Sequence, residues 1–208
     1  MSLEVKVYPY GPLTENTYLA VDENSGLKTI IDPGFYGDVV ADDIGDPNTL
    51  KYIILTHGHF DHVGACVYYK NAYPEAVIVA PRNEEYLIHK DWVKDYLARG
   101  WNVCNCPEPD RYVTEDDTIA LGDTELSFIE TPGHTEGGMC ILGDGKLFSG
   151  DTLFRLSVGN TSLETGSWDD LINSITNKLF TLDDDTTVYP GHGAKTSIGY
   201  EKRANPFV

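Results

Sequence analysis

The sequence predicts an α/β layered domain in which two β-sheets pack face to face with helices outside. Three observations lead there. Runs of period-two alternation, the mark of half-buried strands, group in each half of the chain. Each half also carries helical patterns of apolar residues. No internal repeat or low-complexity linker divides the 208 residues, and their 41% hydrophobic content suffices for one substantial core. One domain over residues 1–208 is therefore expected.

The elements follow in order. Residues 4–8 alternate, 17–22 follow, and 28–32 end at Pro33-Gly34. Residues 50–55 form a short apolar run that stops at Thr56, as in a buried strand whose end delivers the next loop to a working face. A helix is expected from near Asp61, with Val63, Val67 and Tyr68 on one side, ending before Pro74. A strand at 77–80 precedes a longer helix capped by Asn83 and running through Leu87, Trp92 and Leu97 to near Gly100. Strands are expected at 118–121, 125–129, 139–142 and 146–149. Ser167 caps a helix with Leu171, Ile172, Ile175 and Leu179 on its apolar face. A strand at 187–189 and a short helix near 198–202 close the chain.

Composition excludes several classes. No apolar run is long enough to span a bilayer, and the N-terminal residues alternate instead of forming a signal-peptide core. A cytoplasmic protein without membrane contact is expected. The net charge of −18 would repel a polyanion, and the one basic cluster, 195–203, is interrupted by Glu201, so nucleic acid is not the expected partner. Cys66, Cys104, Cys106 and Cys140 match neither a disulfide framework nor a paired zinc site, and read as free thiols in a reducing compartment. A redox or auxiliary metal role for Cys104 and Cys106 is the alternative.

The chemistry is written in Thr56-His57-Gly58-His59-Phe60-Asp61-His62, directly after an apolar strand. Imidazole suits zinc, iron and similar metals, and carboxylate a harder or bridging position. His57 and His59 can converge from one loop, with Gly58 permitting backbone angles that a bulkier residue resists. Asp61 and His62, at a turn into a helix, would aim at a second point. His134, Asp151 and His192 occupy the same context of strand, tight turn and ligand. Five of the six histidines thus fall in glycine-containing turns, against the usual packed or solvated histidine; His89 is given that ordinary role. Asp32, in Asp32-Pro33-Gly34, is a turn carboxylate or a partner that orients a metal-bound histidine.

His57-x-His59-x-Asp61-His62 with His134, Asp151 and His192 resembles the metallo-β-lactamase superfamily, and within it the short bacterial glyoxalase II-like hydrolases. The resemblance implies an αββα four-layer sandwich with two divalent metal ions at one edge, zinc first, with iron or manganese as alternatives. It implies His57, His59 and His134 on one metal, Asp61, His62 and His192 on the other, and Asp151 bridging. Asp61 is the expected catalytic group, orienting a metal-bound hydroxide that attacks a small-molecule thioester of the hydroxyacylglutathione type or a related acyl compound. The chain ends soon after His192, so the helical C-terminal domain that helps bind glutathione in glyoxalase II proper is expected to be lacking. Where the family offers a basic residue within a Gly-Lys or Gly-Arg pair, this chain has Gly159-Asn160. Asn160 and Arg155 are the candidate substrate contacts, Arg155 having a surface salt bridge as its alternative.

An iron-dependent persulfide dioxygenase-like oxidoreductase on the same scaffold, using His57, His134 and Asp151, is the alternative function. A nucleic-acid-processing enzyme would need basic surface that the composition lacks, and a β-lactam or lactone substrate shares the same metal centre.

Overall fold

A computed structural model describes residues 2–101 and 104–208. The first sheet holds β1 (Leu3–Tyr10), β2 (Glu15–Asp22), β3 (Lys28–Ile31), β4 (Leu50–Ile54), β5 (Val77–Pro81) and β6 (Arg111–Val113), in that spatial order. β1, β2 and β3 pair antiparallel; β3 through β6 pair parallel, joined by helical crossovers. The second sheet is built from β7 (Thr118–Leu121), β8 (Thr124–Glu130), β9 (Met139–Gly143), β10 (Lys146–Gly150), β13 (Thr187–Pro190) and β14 (Thr196–Ser197), ordered β14-β13-β10-β9-β8-β7. A hairpin of β11 (Leu153–Phe154) and β12 (Ser157–Val158) stands beside it.

Period-two alternation sorts the side chains into layers. Ile31, Ile54 and Val79 face Leu126, Phe128, Ile141 and Phe148 of the second sheet, forming the core between sheets. Their neighbours Ile30, Ile53 and Ile78 point the other way, under α1 (Asp38–Ile44), α2 (Phe60–Val63), α3 (Cys66–Ala72) and α4 (Glu85–Ile88). Leu147 and Val188 on the far side of the second sheet meet Leu171, Ile175 and Ile198 of α6 (Trp168–Asn177) and α7 (Ile198–Ala204). The layers are α, β, β and α. Each fully buried Leu, Ile or Val contributes roughly 1.5–3 kcal/mol.

Most expected strands lie within a residue or two of their observed bounds. The helices differ more. The one expected from Asp61 is two short helices, α2 and α3, parted at Gly64-Ala65. The long helix expected from Asn83 breaks into α4, α5 (Trp92–Tyr96) and flanking 3₁₀ turns, because Asp91 caps α5 afresh by accepting from Lys94 N–H. α1, β6, β14 and the β11–β12 hairpin were not expected. No helix among the described residues is long and apolar enough to cross a membrane.

Topology delivers the site. β8 and β10 both run antiparallel to β9, and β13 runs parallel to β10, so all three end at one edge of the second sheet. Met139 N–H donates to Thr56 O at 2.9 Å, bringing the end of β4 to that same edge.

Candidate metal centre

Four strand ends release seven side chains into one place. His57 and His59 follow β4, and Asp61 and His62 lie on α2; His134 follows β8, Asp151 follows β10 and His192 follows β13. His57, His59 and His134 form one triad with ligand atoms within 4.8 Å of one another, and Asp61, His62 and His192 form another. Asp151 stands between them: Oδ1 lies 3.4 Å from His62 Nε2, and Oδ2 lies 3.5 Å from His134 Nε2 and 3.6 Å from His192 Nε2. Gly191 makes this approach possible, since a Cβ there would sit 2.2 Å from Asp151 Oδ1.

The ring nitrogens that point away from the centre are mostly engaged. His57 Nδ1 lies 3.0 Å from Thr56 Oγ1, whose hydroxyl donates to Asp32 Oδ2. His62 Nδ1 lies 2.9 Å from Asp32 Oδ2, His134 Nδ1 2.7 Å from Asn160 O, and His192 Nδ1 3.2 Å from Leu13 O. With acceptors there, each Nδ1 carries the proton and each Nε2 presents a lone pair inward. His57 Nε2, His62 Nε2 and Asp151 Oδ1 are buried without a hydrogen-bond partner. Buried polar atoms of this kind are costly unless something satisfies them. A donor set of imidazole nitrogen and carboxylate oxygen fits borderline divalent cations, so the residues suit a pair of metal ions. Asp32, His57 and His62 also cluster, but both Asp32 oxygens are already taken, Oδ1 by Thr56 N–H and Oδ2 by Thr56 Oγ1 and His62. Asp32 therefore braces His62 directly and His57 through Thr56, which fits the second of its two expected readings.

The electrostatics agree. Burial, helped by the neighbouring imidazoles, holds His57 well below the ordinary histidine range and brings His59 down to about 4, so both stay neutral with lone pairs free. Burial would lower His62 too, but the Asp151 and Asp32 carboxylates outweigh it and push it well up. That position demands positive charge, as a proton or a cation. Burial raises Asp61 and Asp151, yet the surrounding histidines more than offset this and leave both carboxyls below their usual range.

A cavity of about 420 Å³ opens over the centre. Phe60, Trp92 and Tyr96 form an aromatic wall, Leu13 and Leu163 also line it, and Lys90, ion-paired with Glu164, stands alongside Asn160. Arg155 lies elsewhere. Its guanidinium sits 5.7 Å over the Tyr200 ring, in a separate groove with Lys195, because the β11–β12 turn, with Leu156 at φ +56°, directs it away. His89 is on the surface with Nε2 3.3 Å from Glu108. The cysteines are free thiols and none joins a ligand triad.

Several residues that hold the site carried no sequence signal. Asn16 Nδ2 donates to Pro190 O and Gly193 O, and Tyr18 Oη donates to Pro190 O, fixing the His192 loop. Glu84 is buried and accepts from Gly58 N–H and Gly137 N–H; burial pushes its carboxyl up to about 7. Gly58 has no positive φ; what it provides is space, since a Cβ would lie 2.7 Å from Ile88 N.

Comparison with known proteins agrees with this geometry. The Haemophilus influenzae protein named hydroxyacylglutathione hydrolase GloC is 31% identical over 99% of this chain and 98% of its own. The crystal structure of BLEG-1 B3 metallo-beta-lactamase superposes with a TM-score of 0.88 at 29% identity, covering 98% of this chain and 99% of that one. TTHA1623, solved in a di-iron-bound form, gives 0.85 at 32% identity over 98% and 100% of the two chains. Residues 10–192 match the model of the metallo-beta-lactamase superfamily, and the chain belongs to that superfamily.

Proposed function

We propose that this metallo-hydrolase cleaves thioesters of the hydroxyacylglutathione type, or related small acyl compounds, at a dinuclear centre. The observation that carries the reading is the pair of triads sharing Asp151 on the floor of a cavity with an aromatic wall. Two divalent cations bound there would lower the pKa of a water towards about 7 and polarise the substrate carbonyl. Asp61, whose Oδ2 lies 3.4 Å from His192 Nε2 at the second triad, would orient that water and take its proton. The cavity lining offers no serine, threonine or cysteine among the described residues, which favours direct attack by water over a Ser, Thr or Cys acyl-enzyme. A thiol of pKa near 8.5 leaves without a strong general acid, which suits a site with no protonated carboxyl aimed at the leaving group. Phe60, Trp92 and Tyr96 would pack the acyl or thiol chain, with Asn160 and Lys90 at the polar end. The GloC relative supports this substrate class.

The iron-dependent dioxygenase alternative needs only His57, His134 and Asp151. The second triad favours hydrolysis, while the di-iron form of TTHA1623 keeps iron among the metals to test. Metal content of purified protein, measured beside hydrolysis of S-lactoylglutathione and simpler thioesters, tests the proposal. Two ions per chain with thioester turnover, abolished in His57→Ala, is the expected result. Oxygen uptake on glutathione persulfide without hydrolysis would overturn it.

A further inference from the structure

His59 differs from the other imidazoles of the cluster. His57, His62, His134 and His192 each have Nδ1 anchored on an oxygen, whereas His59 turns Nδ1 inward, 2.9 Å from His134 Nε2, and its other ring nitrogen has no hydrogen bond among the described residues. Its ring is held by edge contacts with His57, His134 and Trp92 and by the backbone beneath it. The Gly58 peptide is gripped from two sides: its N–H donates to Glu84 Oε2 at 2.8 Å, and its carbonyl accepts from Trp92 Nε1–H at 2.9 Å. The other Glu84 oxygen, Oε1, accepts from Gly137 N–H at 2.9 Å, three residues past His134.

A carboxyl group only 1% exposed, with no ion pair among the described residues, costs free energy that its bonds from two backbone N–H groups help to offset. Both loops press closely against the segment that bears Glu84. A Cβ on Gly137 would lie 2.3 Å from Asn83 C, and one on Gly58 2.7 Å from Leu87 Cβ.

We propose that Glu84, assisted by Trp92, is a positioning residue that sets the spacing of the His57–His59 loop against His134 and so shapes the first metal position. The inference rests on the dinuclear reading above. It also links two functions of one segment, since residues 84–96 hold the ligands and supply Lys90, Trp92 and Tyr96 to the cavity wall.

Titration of the metal-free protein with Co(II), followed by its visible absorption, tests this. In Glu84→Gln the amide keeps one acceptor and turns a donor toward a backbone N–H. One of the two Co(II) equivalents should weaken by roughly 10–100-fold with altered bands, while the other keeps its affinity. Trp92→Phe, which removes one donor and retains an aromatic ring, should weaken the same equivalent less, and carries the test if Glu84→Gln fails to fold. Unchanged affinity and bands in both variants would overturn the proposal. So would equal weakening of both equivalents with a lower unfolding midpoint, which marks a general structural role. Fewer than two equivalents in the unmodified protein would overturn the dinuclear reading and the positioning role together.

Discussion

Replacing Asp32 by Asn changes one atom in the network beneath the metal centre. The carboxylate is 2% exposed and accepts Thr56 N–H at 2.7 Å on Oδ1, and Thr56 Oγ1–H at 2.6 Å and His62 Nδ1–H at 2.9 Å on Oδ2. Its backbone lies at φ +50°, a region asparagine tolerates, so the variant perturbs hydrogen bonding with little backbone cost. With the amide oxygen at the Oδ1 position, the NH₂ group faces two donors. Thr56 can rotate its hydroxyl and accept, but His62 can restore a bond only by moving its proton to Nε2, removing the lone pair that would meet the cation. With the amide reversed, Thr56 N–H is left buried against a donor. The reversed orientation loses one buried hydrogen bond, about 1–3 kcal/mol. In the first, His62 keeps its bond only as the tautomer that is a poor ligand, and affinity at the second metal position should fall roughly 10–100-fold, or about 1.4–2.7 kcal/mol. Chelator competition measures the affinity, and urea unfolding of the metal-free protein measures the stability. Both ions binding within about twofold of the unmodified protein would refute the assignment of Asp32 as the group that fixes the His62 tautomer.

Three further outcomes are expected. Asp22 accepts from Thr124 Oγ1, Ser25 Oγ and Ser25 N–H, which hold its carboxyl down at about 2. Its contribution is therefore present above its ordinary value of 3.8 and lost as pH falls toward 2, and the stability difference between the unmodified protein and Asp22→Asn, read from denaturant midpoints, should shrink over that window. Leu171 is fully buried and packs directly beneath Gly133, so Leu171→Ala should cost about 2–5 kcal/mol in urea unfolding. Adding a bound cation at about 100 times its Kd should stabilise the folded chain by about 2.7 kcal/mol, and a melting scan should rise by roughly 5–10 °C.

The clustered side chains were more legible in the sequence than their supports, for a physical reason. Strand residues such as Ile53 and Ile54 face opposite layers, so alternation and apolarity betray them locally. The seven clustered side chains betray themselves too, because glycine-containing turns after apolar strands are local patterns. Glu84 is not legible in that way: its partners Gly58 and Gly137 lie 26 and 53 residues away, and its neighbours read as a helix start. The break between α4 and α5 has a local mark in the Asp91 cap, but the Trp92 bond to Gly58 O that ties α5 to the site links positions 34 apart. Arg155 is a candidate because Gly159-Asn160 lacks the family's basic residue, but a positive-φ turn decides where its side chain goes.

The division of the ligands between the two sheets has a consequence for biogenesis. Each triad draws two members from the first 62 residues and its third from beyond residue 130. Neither position is complete in the first sheet's half alone, so both triads take their final form only when the second sheet docks and brings His134 and His192 to the edge that carries His57 to His62.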